Sequence, residues 1–222
     1  MITMSLIRDE DKKFLAEEFQ KNLKNDVELV IFISSNEDCK YCKETKEIAE
    51  ELGQINEHIK VKVYDMENDK EVAKNYGIDK YPATVVSKAG KVDGRIRYYG
   101  IPSGYEFGSL IEDIKNVSKD EADLSAKAME IVSKIDKPIK IQVYVTPTCP
   151  YCPKAVGTAH KFALLNSNIT GEMIEASEFY KEAEEAGVSA VPHIVINGDV
   201  QFVGAQPDDA FAEYILEAYN HN

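Results

Sequence analysis

The chain repeats itself at an offset of 110 residues, and this internal repeat constrains the fold more than any other feature of the sequence. Two Cys-x-x-Cys pairs superimpose at this offset, together with glycine, proline and apolar positions around them. The aligned positions are Cys39 and Cys149, Tyr41 and Tyr151, Cys42 and Cys152, Gly77 and Gly187, Pro82 and Pro192, and Val85 and Val195. In both halves the proline follows the first cysteine by 43 residues. The repeat predicts two copies of one fold, each about a hundred residues long.

The two copies differ in length at one turn near the end of each half. The offset falls from 110 to 104 because the first half carries six extra residues between Ser87 and Arg95. Surface turns tolerate such insertions. A boundary near 118–121 predicts an N-terminal unit of residues 1–119 and a C-terminal unit of residues 120–222. No Pro-, Gly- or Ser-rich linker separates these units, so we expect them to pack against each other.

Apolar runs alternate with amphipathic stretches, and this pattern predicts the order α-βαβαββα in each half. The predicted helices are 9–24, 39–56, 69–76, 104–117, 122–135, 149–166, 178–186 and 207–219. The predicted strands are 28–34, 59–65, 83–87, 95–99, 139–145 and 169–175, with a hairpin over 193–203. Strands joined through a helix indicate a parallel βαβ unit, and the closing hairpin indicates an antiparallel sheet edge. Each half is therefore expected to be an α/β unit with a four-stranded mixed sheet flanked by helices.

Each cysteine pair directly follows an apolar strand, where a helix is predicted to begin. Two cysteines at positions 1 and 4 of a helix start lie about one turn apart on the same face, so they can close a disulfide and open it again. Unpaired backbone N–H groups and the helix macrodipole favour a thiolate on the first cysteine. Cys39 and Cys149 are therefore the candidate attacking thiols, and Cys42 and Cys152 the candidate resolving thiols.

The two pairs differ in the charges around them. Acidic and basic side chains both flank the first pair, namely Glu37, Asp38, Glu44, Lys40 and Lys43. The second pair has no acid near it in the sequence and carries Lys154 in the first turn. We therefore expect Cys149 to be the more reactive thiol. The residues between the cysteines are candidates for tuning the two sites, and the tyrosines among them either pack at the rim or stack on a substrate: Lys40, Tyr41, Pro150 and Tyr151.

Pro82 and Pro192 each begin a strand after a glycine-containing turn. A cis peptide bond at these prolines would order the turn beside the cysteines, whereas an ordinary trans turn proline is the alternative. A cis bond would leave backbone groups of Tyr81 and Val191 free to bind a substrate peptide as a short added strand. His193 follows Pro192, but an alanine takes its place in the first half, so we expect a core or rim histidine.

The succession of a strand, a Cys-x-x-Cys pair and a proline some forty residues later resembles the thioredoxin superfamily. The sequence Cys149-Pro150-Tyr151-Cys152 resembles a glutaredoxin active site. Two such units in tandem, with Phe-Val-Gly-Ala-Gln-Pro at 202–207, resemble the glutaredoxin-like protein disulfide oxidoreductases best known from thermophiles. The resemblance covers nearly the whole chain and implies two tandem thioredoxin-like folds. Ile33 and Val143 stand where thioredoxin has a buried aspartate.

This resemblance also implies an activity. Members of the family reduce, oxidise or isomerise protein disulfides through a mixed-disulfide intermediate and contribute to cell redox homeostasis. Carried over to this chain, both cysteine pairs are redox pairs, and Pro82 and Pro192 are the cis prolines. The resemblance implies no bound cofactor, protein disulfides as substrates, and reducing equivalents that come from NADPH through a thioredoxin reductase.

Charge and hydropathy exclude several other classes of function. A net charge of −13 repels phosphate backbones and anionic lipids, so neither nucleic-acid nor membrane binding is expected. No apolar run approaches the roughly 18 residues that span a bilayer. The segment Met1–Glu10 lacks a basic start followed by an apolar stretch, so no secretory signal is visible and a cytoplasmic location is expected.

Two alternatives remain for the cysteines. A zinc site with four cysteine ligands needs all four sulfurs in one tetrahedron, whereas 107 positions separate Cys42 from Cys149, so no metal site is expected. A redox-inactive docking protein is the second alternative. It predicts no disulfide reduction and no effect of Cys→Ser substitutions.

Overall fold

The computed structural model describes residues 5–36 and 38–221. The helices are α1 (Asp9–Asn22), α2 (Cys42–Ile55), α3 (Lys70–Tyr76), α4 (Tyr105–Lys119), α5 (Ala126–Ser133), α6 (Cys152–Leu165), α7 (Tyr180–Glu185) and α8 (Asp208–His221). The strands are β1 (Val27–Ile33), β2 (Ile59–Asp65), β3 (Ala83–Lys88), β4 (Ile96–Tyr99), β5 (Ile139–Val145), β6 (Ile169–Glu175), β7 (His193–Ile196) and β8 (Val200–Val203).

The predicted order α-βαβαββα is confirmed in both halves, and β2, β5 and β6 have the predicted bounds. The clearest difference is at the cysteines. The helices predicted to begin at Cys39 and Cys149 begin instead at Cys42 and Cys152, because the first three residues of each Cys-x-x-Cys segment form a turn. The first cysteine of each pair therefore precedes its helix rather than opening it.

The strands of the described residues form one continuous sheet in the order β2-β1-β3-β4-β6-β5-β7-β8. Within the first half, β1 pairs parallel with β2 and antiparallel with β3, and β3 forms a hairpin with β4. In the second half, β5, β6, β7 and β8 repeat this arrangement. Each half therefore contributes the predicted four-stranded mixed sheet, and the two tandem thioredoxin-like folds are confirmed.

The first-half hairpin does not form a sheet edge, so that expectation is wrong for β4. Instead, β4 pairs parallel with β6 of the second half, from Ile96 opposite Gly171 to Tyr99 opposite Ile174. All four residues of β4 are buried, whereas burial alternates along β8, which does lie at an edge. A strand that is buried on both faces is stable only inside a sheet.

A buried polar cluster also joins the halves on one side of the sheet, where α4 packs against α6. Asp113 on α4 accepts a hydrogen bond from the Tyr98 hydroxyl on β4, and its Oδ2 lies 2.6 Å from Nδ1 of His160 on α6. Burial, with the negative charge of Asp113 adding to it, raises the pKa of Tyr98 well above its ordinary value. Because His160 lies on α6, which begins at Cys152, this cluster joins the helix of the second cysteine pair to the first half.

Glu106, in the first turn of α4, predicts how stability changes with pH. Burial raises its pKa from 4.5 to about 7, although the Ser109 hydroxyl donates a hydrogen bond to it at 2.7 Å. The folded protein therefore holds a proton that the unfolded chain releases above pH 4.5, so this carboxyl lowers stability as pH rises from 4.5 through 7.

Glu106→Gln removes this titration. The variant's free energy of unfolding, relative to wild type, should therefore rise by about 2 to 3 kcal/mol between roughly pH 4.5 and pH 8. Urea unfolding of both proteins at several pH values measures this difference. A difference that stays constant with pH would show that Glu106 titrates normally in the folded protein.

Candidate redox sites

Both Cys-x-x-Cys pairs are closed as disulfides, with a Cα–Cα distance of 5.5 Å in each. Cys39 and Cys42 follow β1, and Cys149 and Cys152 follow β5, so the same strand-to-helix connection positions each pair. The second cysteine of each pair is the first residue of its helix and is buried. Each pair therefore has the arrangement expected of a reversible dithiol, with the candidate resolving sulfur buried at the helix start and the candidate attacking sulfur in the preceding turn.

At the second site, two backbone groups lie close to the sulfur of Cys149. The N–H of Cys152 donates to Sγ of Cys149 at 3.1 Å, and the Val191 carbonyl oxygen lies 3.8 Å from the same sulfur. Cys149 is itself buried, but the neighbouring Tyr151 is 71% exposed and marks the surface beside the site. An N–H aimed at the sulfur favours the thiolate in the reduced state.

At the first site, a backbone N–H contacts the other sulfur. The N–H of Ser34 donates to Sγ of Cys42 at 3.3 Å, while Cys39 is half-buried. The Lys40 ammonium lies 5.0 Å from the centroid of the Tyr41 ring, so a cation–π contact holds the two tuning candidates together. Glu37, one of the acids expected here, lies outside the described residues.

The cis expectation for both prolines is confirmed. The Tyr81–Pro82 and Val191–Pro192 peptide bonds are cis. Tyr81 and Val191 are both half-buried. Val191 presents its carbonyl to Cys149, and Tyr81 lines the same cavity as Cys39. The structure thus brings each cis proline and its preceding residue to the cysteine pair of the same half.

Residues of the second half complete the first site, which the sequence patterns did not predict. A cavity of about 510 Å³ opens beside Cys39, and both halves line it. From the first half come Asp38, Cys39, Lys40, Tyr41, Tyr81, Pro82, Ile101 and Ser103. From the second half come Pro147, Glu175, Ser177, Glu178, Phe179 and Tyr180. No sequence motif marks these second-half residues, because only the pairing of β4 with β6 brings them to Cys39.

His193 is a buried histidine beside the second site, as expected. Its Nε2 lies 2.9 Å from the Oε1 atom of Gln201 on the neighbouring strand, and its ring meets the Tyr144 ring edge-on at 6.5 Å. Among residues 5–36 and 38–221, no group of three or more His, Cys, Asp or Glu side chains is arranged to hold a metal ion. No helix in the described part of the chain is long and apolar enough to cross a membrane.

The candidate attacking thiols of the two sites, Cys39 and Cys149, are predicted to differ in reactivity. In the fully reduced protein, iodoacetamide at limiting concentration should label Cys149 before Cys39, because the Cys152 N–H stabilises the Cys149 thiolate. Peptide mapping by mass spectrometry measures both rates in one sample. Equal or faster labelling of Cys39 would contradict this order.

Comparisons with known proteins agree with this geometry. The thioredoxin family model matches residues 11–111, and a second thioredoxin-domain model matches residues 139–217. A protein disulfide oxidoreductase from Aeropyrum pernix K1 has a similar structure, with a TM-score of 0.88, 30% identity, and coverage of 97% of this chain and 95% of that chain.

The alkyl hydroperoxide reductase AhpF of Enterococcus faecalis also has a similar structure. The match has a TM-score of 0.85 and 25% identity, and covers 94% of this chain and 98% of that chain. By sequence, an NADH dehydrogenase of Bacillus subtilis is 26% identical over 194 residues, which are 87% of this chain and 35% of that protein. The chain thus spans about a third of the length of this curated relative.

Three findings lead to one assignment. They are two thioredoxin-domain matches in tandem, two disulfide-closed Cys-x-x-Cys pairs, and a matching fold over nearly the full length. The chain belongs to the family of tandem thioredoxin-fold protein disulfide oxidoreductases.

Proposed function

We propose that this protein is a thiol–disulfide oxidoreductase that acts on protein disulfides. One observation carries the proposal: in each half a disulfide-closed Cys-x-x-Cys pair lies at a helix start beside a cis proline. The similarity to a protein disulfide oxidoreductase of known structure supports it. The direction in the cell, whether reduction, oxidation or isomerisation, depends on the reduction potentials of the two pairs.

In the reductive direction, the Cys149 thiolate attacks one sulfur of the substrate disulfide. The substrate S–S bond breaks, a mixed disulfide forms, and the departing sulfur leaves as a thiolate that takes a proton from solvent. The Cys152 thiol then loses its proton and attacks Cys149. This step closes the protein disulfide and releases the second substrate sulfur, so two electrons have moved to the substrate.

The two sites fit different steps of such a cycle. We assign protein disulfides to the Cys149 and Cys152 pair, beside which Tyr151 is largely exposed. We assign exchange with a reductase to the Cys39 and Cys42 pair, which lies in a cavity shared by both halves. Backbone groups of Val191 and Tyr81 would hold the substrate segment as a short added strand beside each pair.

The reducing equivalents are proposed to come from NADPH through a separate reductase of the thioredoxin reductase type. Relatives named NADH dehydrogenase and alkyl hydroperoxide reductase support a role in electron transfer. We also propose a cytoplasmic location, and two units that meet between residues 119 and 120, where α4 ends.

Trapping a mixed disulfide tests the proposed function. Reduced Cys152→Ser protein lacks the resolving thiol, so it should accumulate a covalent adduct with insulin through Cys149, visible as a mass increase that dithiothreitol reverses. The matched control is the double variant Cys149→Ser/Cys152→Ser, which should form no adduct in the second half. An unmodified Cys152→Ser protein would support a redox-inactive docking protein instead.

A further inference from the structure

Glu178 lies in the second half, yet it contacts the backbone that flanks the first redox site. Its Oε1 atom accepts a hydrogen bond from the Ile101 N–H at 2.7 Å. Ile101 directly follows Gly100, whose N–H donates to the Pro82 carbonyl at 2.9 Å. A single carboxyl of the second half thus holds the loop that supports the cis proline of the first.

The approach of Glu178 is close enough to restrict the residue at position 100. Gly100 has φ +95, and a Cβ atom there would lie 2.7 Å from Cβ of Glu175 and 2.8 Å from Oε1 of Glu178. The equivalent residue of the second half, Gly204, has a similar φ of +90, but no described atom lies within 4 Å of its Cβ position. The contact therefore distinguishes the first site from the second.

The turn that carries Glu178 is repeated in the first half, but the glutamate at its position 178 is not. Glu175 accepts hydrogen bonds from the N–H groups of Ser177 and Glu178, and Asp65 accepts the corresponding bonds in the first half. At the 110-residue offset, Glu178 aligns with Asn68, which is exposed. The charge at this position is thus specific to the copy that faces the other half.

We propose that Glu178 is a positioning residue of the Cys39/Cys42 site, where it holds the Gly100–Ile101 backbone and opposes the Cys39 thiolate with its negative charge. The inference rests on the proposed function, because it concerns the reactivity of one of the two redox pairs. Under this proposal, the rate of thiol–disulfide exchange at Cys39 in the first half depends on Glu178 in the second half. No sequence motif reveals this dependence.

The surroundings of the Glu178 carboxyl raise its pKa into the neutral range. Burial raises the pKa of Glu178 to about 7, and the charge of Glu175 adds to this rise, whereas the Ile101 N–H and the Lys40 ammonium oppose it. The charged and titratable groups that line the cavity around Glu178 are Asp38, Cys39, Lys40, Tyr41, Tyr81, Glu175 and Tyr180. Below about pH 7 the carboxyl is mostly neutral, so its effect on a Cys39 thiolate grows as pH rises through this value.

Glu178→Gln tests this effect, because the amide oxygen can still accept the Ile101 hydrogen bond but carries no charge. Fully reduced wild type and variant are labelled with iodoacetamide between about pH 5.5 and pH 8, and the rates at Cys39 and Cys149 are read from peptide masses. The Cys39 rate should be the same in both proteins at the acidic end and about threefold higher in the variant at the alkaline end. The Cys149 rate in the same samples should not change.

Two further variants separate charge from structure. Glu184→Gln removes an exposed charge from α7, which lies in the same half, and Glu184 does not line the cavity. This variant should leave the labelling rates of Cys39 and Cys149 at wild-type values. Glu178→Ala removes both the charge and the hydrogen bond. A change in Glu178→Ala without one in Glu178→Gln would overturn the proposal, because it would reveal a purely structural contact.

An insulin-reduction assay on unlabelled portions of the same proteins separates the two proposals. If wild type reduces insulin but its Cys39 rate matches that of Glu178→Gln at every pH, only the inference about Glu178 fails. If wild type does not reduce insulin, the proposed function fails, and the inference fails with it.

Discussion

With dithiothreitol as the reductant, Cys149→Ser is expected to lower the rate of insulin reduction about a hundredfold, to near the uncatalysed rate. A serine hydroxyl is not ionised at neutral pH and cannot form the mixed disulfide. Cys152 cannot replace it as the attacking thiol, because its side chain is fully buried at the start of α6. The precipitation of reduced insulin chains, followed by turbidity, measures this rate.

Cys39→Ser is the matched control for this substitution. With dithiothreitol as the reductant, the second pair is reduced directly and does not need electrons from the first, so this variant should keep a substantial part of the wild-type rate. If Cys149→Ser keeps more than half of the activity while Cys39→Ser loses it, the assignment of protein disulfides to the second site is wrong.

Asp113→Ala is expected to cause the largest loss of stability, about 3 to 4 kcal/mol in the free energy of unfolding. Asp113 is 2% exposed and is the partner of both the Tyr98 hydroxyl and Nδ1 of His160. Within the described residues, Nε2 of His160 has no hydrogen-bond partner, so the substitution would leave the whole ring unpaired in the interior. Urea unfolding followed by circular dichroism measures the loss.

Asp113→Asn keeps one acceptor oxygen in the same place and is the control for shape. It should cost less than Asp113→Ala, because Tyr98 and His160 both contact Oδ2 and an amide oxygen at that position can still accept from them. Equal stability of wild type and Asp113→Ala would show that the cluster between α4 and α6 does not join the halves. Loss of insulin reduction by Asp113→Ala at temperatures where it stays folded would further indicate that the cluster orients α6 and its Cys152.

Much of each half could be predicted from the sequence, because local patterns determine it. Apolar runs with turn signals located β2, β5 and β6 at their observed bounds. The equal Cys-to-Pro spacing, together with the resemblance to the thioredoxin superfamily, favoured the cis bonds observed at Pro82 and Pro192. The helix starts were misplaced by three residues, since the turn at Cys39 and at Cys149 is itself compatible with a helical pattern. The repeat strengthened these predictions, because each half served as a second observation of the same fold.

The contacts between the halves could not be predicted in this way, because they depend on pairings between distant parts of the chain. The burial of Ile96-Arg97-Tyr98-Tyr99 differs from the alternating burial of β8, but the residue types do not. Both strands have a polar second residue, Arg97 or Gln201, so the residue types did not indicate that β4 lies inside a sheet. Nothing local marks Glu178 as a neighbour of the Cys39 site. Its position follows only once β4 is paired with β6.

Thiol–disulfide exchange through the Cys-x-x-Cys pairs is the activity on which the other assignments depend. Insulin reduction by dithiothreitol, measured for wild type and for the double variant Cys39→Ser/Cys149→Ser, tests it most directly. Wild type should accelerate the reaction well above the rate with dithiothreitol alone, and the double variant should not accelerate it. A wild type no faster than dithiothreitol alone, or a double variant as fast as wild type, would contradict this activity.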